Sequence, residues 1–445
     1  MLKLLLLLFT LSSLNSQHTS FIDNPPSFYQ RGRESEYSKH SNFYQWWYFN
    51  LRHTRHNNLS TGTDFALDYS YLKSSTNDII SNNSGAYVLF SQFDVSRNQQ
   101  NMQVYEKWPL NEFTIDNYFD VSIADEFSIR VINEDTIHLR GHMSHRHNKT
   151  WAYEHIDPQH YTIEWDFRMQ RIHGWFGQAL EETVLADQGV IGWNTYGYVS
   201  QLADDHGWIR ITDHRGKDQK QHQLYKLKRS DYQVYADMNY GSTFPSSSSL
   251  VPVAQDIDYP WTWMLAYYQD HTVDEFITVS IVAGIGRQDM GATSCGASDG
   301  AYINVWINRT VNGVATSQVS SLGYSQILAC NKTLTLLKQS NDGGSNFTIQ
   351  QKLSNWQHRT DKFGTHLIPL EHALYIQSPH RSITMTCYAT TNDYLRFLFP
   401  LSTFIFSDFE AIGVPCHVVI KEKDNALIDF WSTSTGVEFG YRAII

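Results

Sequence analysis

Asp237 and Asn239 stand among the aromatic residues Tyr235, Tyr240 and Phe244 in the run Tyr-Ala-Asp-Met-Asn-Tyr-Gly-Ser-Thr-Phe-Pro at 235–245. A carboxyl group surrounded by aromatic rings loses hydration, which disfavours its charged form and raises its pKa. Such a group can give up a proton near neutral pH, so Asp237 is the candidate general acid, with Asn239 beside it. Trp46, Trp47 and Tyr48 in one aromatic run, and Trp261 and Trp263 in another, can offer ring faces to an apolar ligand or a developing cation. The plainer roles are a turn carboxylate bonding backbone amides and aromatics packing a sheet. Both pairs of roles stay open on these residues alone.

Other chemistries find no support. His138, His142, His145 and His147, with His155 and His160 further on, could be read as a metal site, but His142, His145 and His147 do not follow a common zinc spacing, and the sequon at Asn148 places the segment on an exposed loop. No G-x-S-x-G elbow, glycine-rich phosphate loop or H-E-x-x-H motif occurs. The net charge of -11 is spread along the chain without a basic run, which argues against nucleic acid as a partner. No cofactor is implied.

The elements that must position these residues read as strands. Runs of alternating, β-branched or aromatic residues fall at 46–51, 65–72, 86–95, 127–132, 136–140 and 161–169. They continue at 190–200, 208–212, 276–282, 301–307, 382–389, 414–421 and 426–431. In 161–169, Tyr161, Ile163, Trp165, Phe167 and Met169 share one face, while Thr162, Glu164, Asp166 and Arg168 share the other. Aromatic residues make up 14% of the chain, a share that suits sheets and the lining of apolar pockets alike. Without helical periodicity or βαβ spacing, the pattern predicts an all-β fold of antiparallel barrels or sandwiches. The length suits two such units, divided near Gly241 into 42–241 and 242–445, after a flexible leader at 17–41.

Residues 1–16 read as a cleavable signal peptide: Lys3, a short apolar run at 4–11, then Ser12, Ser13 and Ser16. A membrane span needs about 20 apolar residues, and the best later stretch, 395–406, is broken by Arg396, Pro400, Ser402 and Thr403. The chain is therefore expected to be secreted, with no transmembrane span. Sequons at Asn58, Asn82, Asn148, Asn308, Asn331 and Asn346 predict N-glycans on surface loops. Cys295, Cys330, Cys387 and Cys416 form an even set for an oxidising compartment, and proximity in sequence favours the pairs Cys295–Cys330 and Cys387–Cys416.

Three separated signatures carry a resemblance. They are Phe-Tyr-Gln-Trp-Trp-Tyr-Phe-Asn-Leu at 43–51, the 235–245 run followed by Tyr-Pro-Trp-Thr-Trp at 259–263, and Gly-Val-Glu-Phe-Gly at 436–440. In this order the chain resembles the tocopherol cyclase family of the lipocalin-like superfamily, which also holds hydroxyneurosporene synthases. The resemblance covers about residues 42–441, and its middle element is the specific one. It implies two consecutive lipocalin-like barrels or half-barrels packed as one unit around a hydrophobic ligand such as a prenyl quinol. The implied activity is acid-catalysed cyclisation or isomerisation, with Asp237 and Asn239 catalytic. Trp46, Trp47, Tyr48, Tyr235, Tyr240, Phe244, Trp261 and Trp263 would line the ligand. Gln45, Asp237, Met238 and Tyr240 depart from the family pattern, which has Glu, Glu, Lys or His, and Trp there. Two readings stand beside the enzyme: a secreted lipocalin-type carrier using the same pocket without an acid, and an extracellular structural or recognition glycoprotein whose interior is filled.

Overall fold

The structure is a computed structural model that describes residues 43–54, 62–73, 85–94, 101–117, 120–145, 151–152, 158–171, 176–179, 194–215, 221–241, 261–271, 275–286, 299–311, 314–330, 333–336, 348–361, 364–377, 381–399, 404–422 and 427–444. Among the described residues the chain forms two antiparallel sheets, of fifteen and thirteen strands. The first runs from Phe43–His53 to Tyr232–Gly241, and the second begins with Trp261–His271 and ends with Ser434–Ile444. Each sheet curls round its own apolar core, so the fold is the expected pair of lipocalin-like barrels. Among the described residues no helix is long and apolar enough to cross a membrane.

Alternation builds both cores. In Tyr161–Arg171, Ile163, Trp165, Phe167 and Met169 point inward and are buried. On the outer side Glu164 pairs with Arg210 at 3.4 Å and Asp166 with His138 at 2.6 Å. The first core gathers Trp47, Phe49, Phe65, Phe90 and Trp165, all nearly or fully buried. Trp165 Nε1 donates to Tyr69 Oη at 2.7 Å, and its ring lies over Gly141, its neighbour in the ladder. A Cβ at residue 141 would stand 2.0 Å from that ring. Because Trp165 is pinned by this hydrogen bond and by stacking on Phe90, Gly141→Ala is expected to cost about 2–3 kcal/mol. Urea unfolding followed by tryptophan emission checks this, and an unchanged midpoint would mean that the indole moves freely.

The run at 232–241 is a strand rather than a turn. Its Asp, Asn and Gly residues resemble turn chemistry, but Val234 and Ala236 bury in the first core and hold the segment extended between Asn194–Leu202 and Phe43–His53. Cys387 and Cys416 face each other in register on Arg381–Tyr388 and Cys416–Glu422 and form a disulfide, as expected. Cys295 lies outside the described residues, so its pairing with Cys330 does too. The signal peptide, the leader and five of the sequons also lie outside them. Asn308 falls within the strand Asp299–Val311 rather than on a loop.

Three strands of each sheet set up the interior of the molecule. In the first sheet Phe43–His53 lies between Thr63–Lys73 and Tyr232–Gly241. In the second, Ser434–Ile444 lies between Phe404–Ile412 and Trp261–His271. These groups meet face to face. Ala66, Leu89 and Phe93 from the first sheet pack on Leu395 and Ile412 from the second. Nearby, Asn101 Nδ2 donates to the carbonyl of Asn392 at 3.3 Å.

Candidate functional site

Successive residues of a strand point to opposite faces, so filling each core decides what the two sheets present to one another. Trp47, Phe49 and Leu51 enter the first core, which turns Tyr48, Asn50 and Arg52 toward the second sheet. By the same parity Val234 and Ala236 point in, and Tyr235 and Asp237 point across. Register then lines up Asp237, Tyr48 and Asp68 as a row over three adjacent strands. On the facing sheet, Phe409, Val437 and Phe439 fill the core, leaving Glu410 and Glu438 directed outward as direct ladder partners. Trp263 pairs with Glu438 and completes the opposing row. A Cβ at Gly436 would come within 2.7 Å of the Trp263 ring, so this glycine gives the indole room to lie along the sheet.

The rows interlock through hydrogen bonds. Tyr48 Oη donates to Glu410 Oε1 across the gap. Asn50 Nδ2 donates to Tyr48 Oη at 2.9 Å and lies 3.4 Å from the same Glu410 oxygen. Tyr235 Oη donates to Asp237 Oδ2 at 2.9 Å and accepts from Trp263 Nε1 at 3.2 Å. The Tyr235 ring meets Tyr48 edge-on at 6.3 Å and Trp263 at 5.0 Å. Ser70 Oγ donates to Asp68 Oδ1.

Burial sets the electrostatics. The Glu410 side chain has only 2% of its residue surface exposed, and desolvation holds its carboxyl well above the usual range, helped by the charge of Glu438. Desolvation also pushes Asp68 up to about 7. Burial, and then Glu410, raise the Tyr48 phenol far above its ordinary value, so it remains a donor. Since Oε1 of Glu410 accepts from Tyr48 and Asn50, the acid proton is left to Oε2. Tyr48, Ser70 and Glu438 keep part of their surface open although Tyr48 is strongly desolvated, so the space between the two rows, the crevice between the sheets, opens to solvent at its edge. This arrangement can hold a neutral carboxylic acid next to aromatic faces and deliver its proton to an apolar partner.

Of the residues expected to act together, Asp237, Tyr48, Tyr235 and Trp263 meet here. Asn239 and Trp46 are ladder partners one row further along, with Trp46 half-buried on the Tyr48 face. Trp47 is on the other side of the strand, inside the first core against Phe113 at 5.9 Å. Asn239, Tyr240 and Trp261 lie on the described strands, but their side chains are outside the described residues, as is all of Phe244. Glu410, Glu438, Asn50 and Asp68 were not singled out from the sequence. The signal for Glu410 was a carboxylate between Phe409 and Ala411 in an otherwise largely apolar strand, on the same strand face as Ile412.

No family model matches the chain, and no curated protein does. Among solved structures it is similar to kievitone hydratase from Nectria haematococca, at 13% identity over 89% of this chain and 88% of that one, with a TM-score of 0.43. A protein assigned as AttH from Nitrosomonas europaea gives 9% identity, coverage of 89% and 92%, and a TM-score of 0.41. CghA gives 6%, coverage of 91% and 89%, and 0.39. At these scores the likeness carries no argument about chemistry, and the functional reading rests on the side chains of the crevice.

Proposed function

We propose that this chain is a secreted, tocopherol-cyclase-like protein that takes a prenyl-lipid type of ligand into the crevice between its sheets and isomerises it by acid catalysis. The observation that supports this is Glu410, a carboxyl kept protonated by burial and by Glu438, clamped by Tyr48 and Asn50, and bordered by aromatic rings. In the step, the Glu410 proton adds to one carbon of a ligand double bond and leaves a tertiary cation on the other. The rings of Tyr48, Tyr235 and Trp263 stabilise that charge through their π faces. A phenol oxygen of the same ligand then forms a C–O bond to the cation, and its proton returns to Glu410. Atoms and charge balance, and the product is an isomer of the substrate. Export on residues 1–16 and glycosylation at Asn58, Asn82, Asn148, Asn331 and Asn346 belong to the same proposal.

The test is incubation of the purified protein with a prenylated hydroquinone in D2O. One carbon-bound deuterium per cyclised product is expected, with turnover falling at least about 10-fold in Tyr48→Phe, which loosens the clamp on the acid. Recovery of bound but unchanged, unlabelled hydroquinone would instead establish the carrier.

A further inference from the structure

Arg52 takes no part in the chemistry above. It lies two residues beyond Asn50 on the same face of Phe43–His53, opposite Gln233, and is fully buried. Its Nη1 donates across the gap to the carbonyl of Ser434 at 3.3 Å, whereas Nε and Nη2 meet no hydrogen-bond partner. Those two nitrogens form one edge of the guanidinium plane, whose parallel N–H bonds match the two oxygens of a carboxylate. Ser434 Oγ, on the residue that Arg52 already touches, is likewise buried without a partner. A buried donor left unpaired is destabilising, so a fold that leaves Arg52 Nε and Nη2 and the Oγ of the residue Arg52 touches unmatched favours an acceptor that arrives with a ligand.

We infer that Arg52 and Ser434 form the seat for the acidic head group of an amphiphilic ligand, a monoanionic carboxylate whose apolar remainder runs past Tyr48 toward Glu410. This rests on the crevice reading and narrows its substrate to a prenylated or terpenoid acid. Burial lowers the Arg52 pKa to about 10, partly offset by the charge of Asp64, so the side chain stays cationic at neutral pH. A monoanion fits better than a phosphate, because a second negative charge would add repulsion from Asp64 and from the carboxylates further along the crevice. Four residues separate Tyr48 from Arg52 along the strand. At roughly 3.3 Å per residue, the acid head and the reacting double bond are on the order of 13 Å apart or closer.

The test is binding of a farnesylated hydroxybenzoic acid and of its methyl ester, followed by quenching of tryptophan emission. The wild-type protein is expected to bind the acid at least about 10-fold more tightly than the ester. Arg52→Met should erase that preference and leave ester affinity within about twofold, and Arg52→Lys, which keeps the charge without the fork, should restore only part of it. Ser434→Ala should weaken the acid by about threefold and the ester not at all, which keeps the test alive if Arg52→Met fails to fold. Equal binding of acid and ester by the wild type overturns the head-group seat but leaves the crevice standing. Binding of neither overturns both.

Discussion

Glu410→Gln should lower cyclisation of a prenylated hydroquinone by about 10²–10⁴-fold while leaving its binding within about twofold. Gln keeps the shape of Glu and can still accept from Tyr48 and Asn50 through its amide oxygen, so the clamp survives and only the transferable proton is lost. The exchange also removes a partly repelled carboxyl beside Glu438, so the variant should melt no lower than the wild type at pH 8. The pairing of lost turnover with retained binding and retained folding is what distinguishes a proton donor from a packing residue. Full turnover in Glu410→Gln would put the acid elsewhere. Asp237 would then be the next group to replace, since Tyr235 already holds it in the same row.

The second large effect is on stability. Asp68 has its carboxyl pushed from the usual 3.8 up to about 7 by burial. The folded protein therefore binds this proton more tightly than the unfolded chain does, and stability falls as pH rises through that interval. The contribution is fully present below about pH 4, declines from there, and is gone above about pH 7. Its size is on the order of 2–4 kcal/mol. Glu410 acts in the same direction, because its carboxyl is also raised. Asp213, held low by Arg215, acts in the opposite sense, but below the ordinary carboxylate range and so outside this window. Asp68→Asn should flatten the decline and make the protein more stable than the wild type at pH 8, as read from urea midpoints at pH 4.5 and 8. A variant with the same pH slope as the wild type would mean that Asp68 is already ionised in the fold.

Much of the fold could be read from local alternation, because a half-buried strand writes its two faces into the sequence. Tyr161–Arg171 shows this, with its apolar residues inside and its ion pairs outside. The predicted runs omit Met102–Trp108, Gly364–Gln377 and Phe404–Ile412, and they also omit a strand built largely of small polar residues. That strand is Val314–Cys330, rich in Ser and seventeen residues long, in which no alternation of apolar and polar residues marks the two faces. At 232–241, turn-favouring residues masked an alternation that Val234 and Ala236 carry. Parity alone separates Trp47 from Tyr48, since neighbours on a strand cannot line the same space, and only Tyr48 reaches the crevice. Asp237 and Tyr235 were legible because aromatics crowd a carboxylate within one stretch of chain, and Trp263 through the Trp-Thr-Trp run that follows it. Glu410 was not, since its burial between the two sheets and its pairing with Glu438 across the ladder arise only on folding.

The clamp on Glu410 ties its acidity to contact between the two halves of the chain. Tyr48 and Glu410 are 362 positions apart, and both donors to Oε1 belong to the sheet that does not carry the acid. If the halves slide apart, water reaches the carboxyl, its proton becomes an ordinary one, and the seat for the cation dissolves with it. On the proposed reading reactivity is conditional on docking: a newly made chain whose halves have not yet closed would be inert, and the acid would be armed only by completing the assembly.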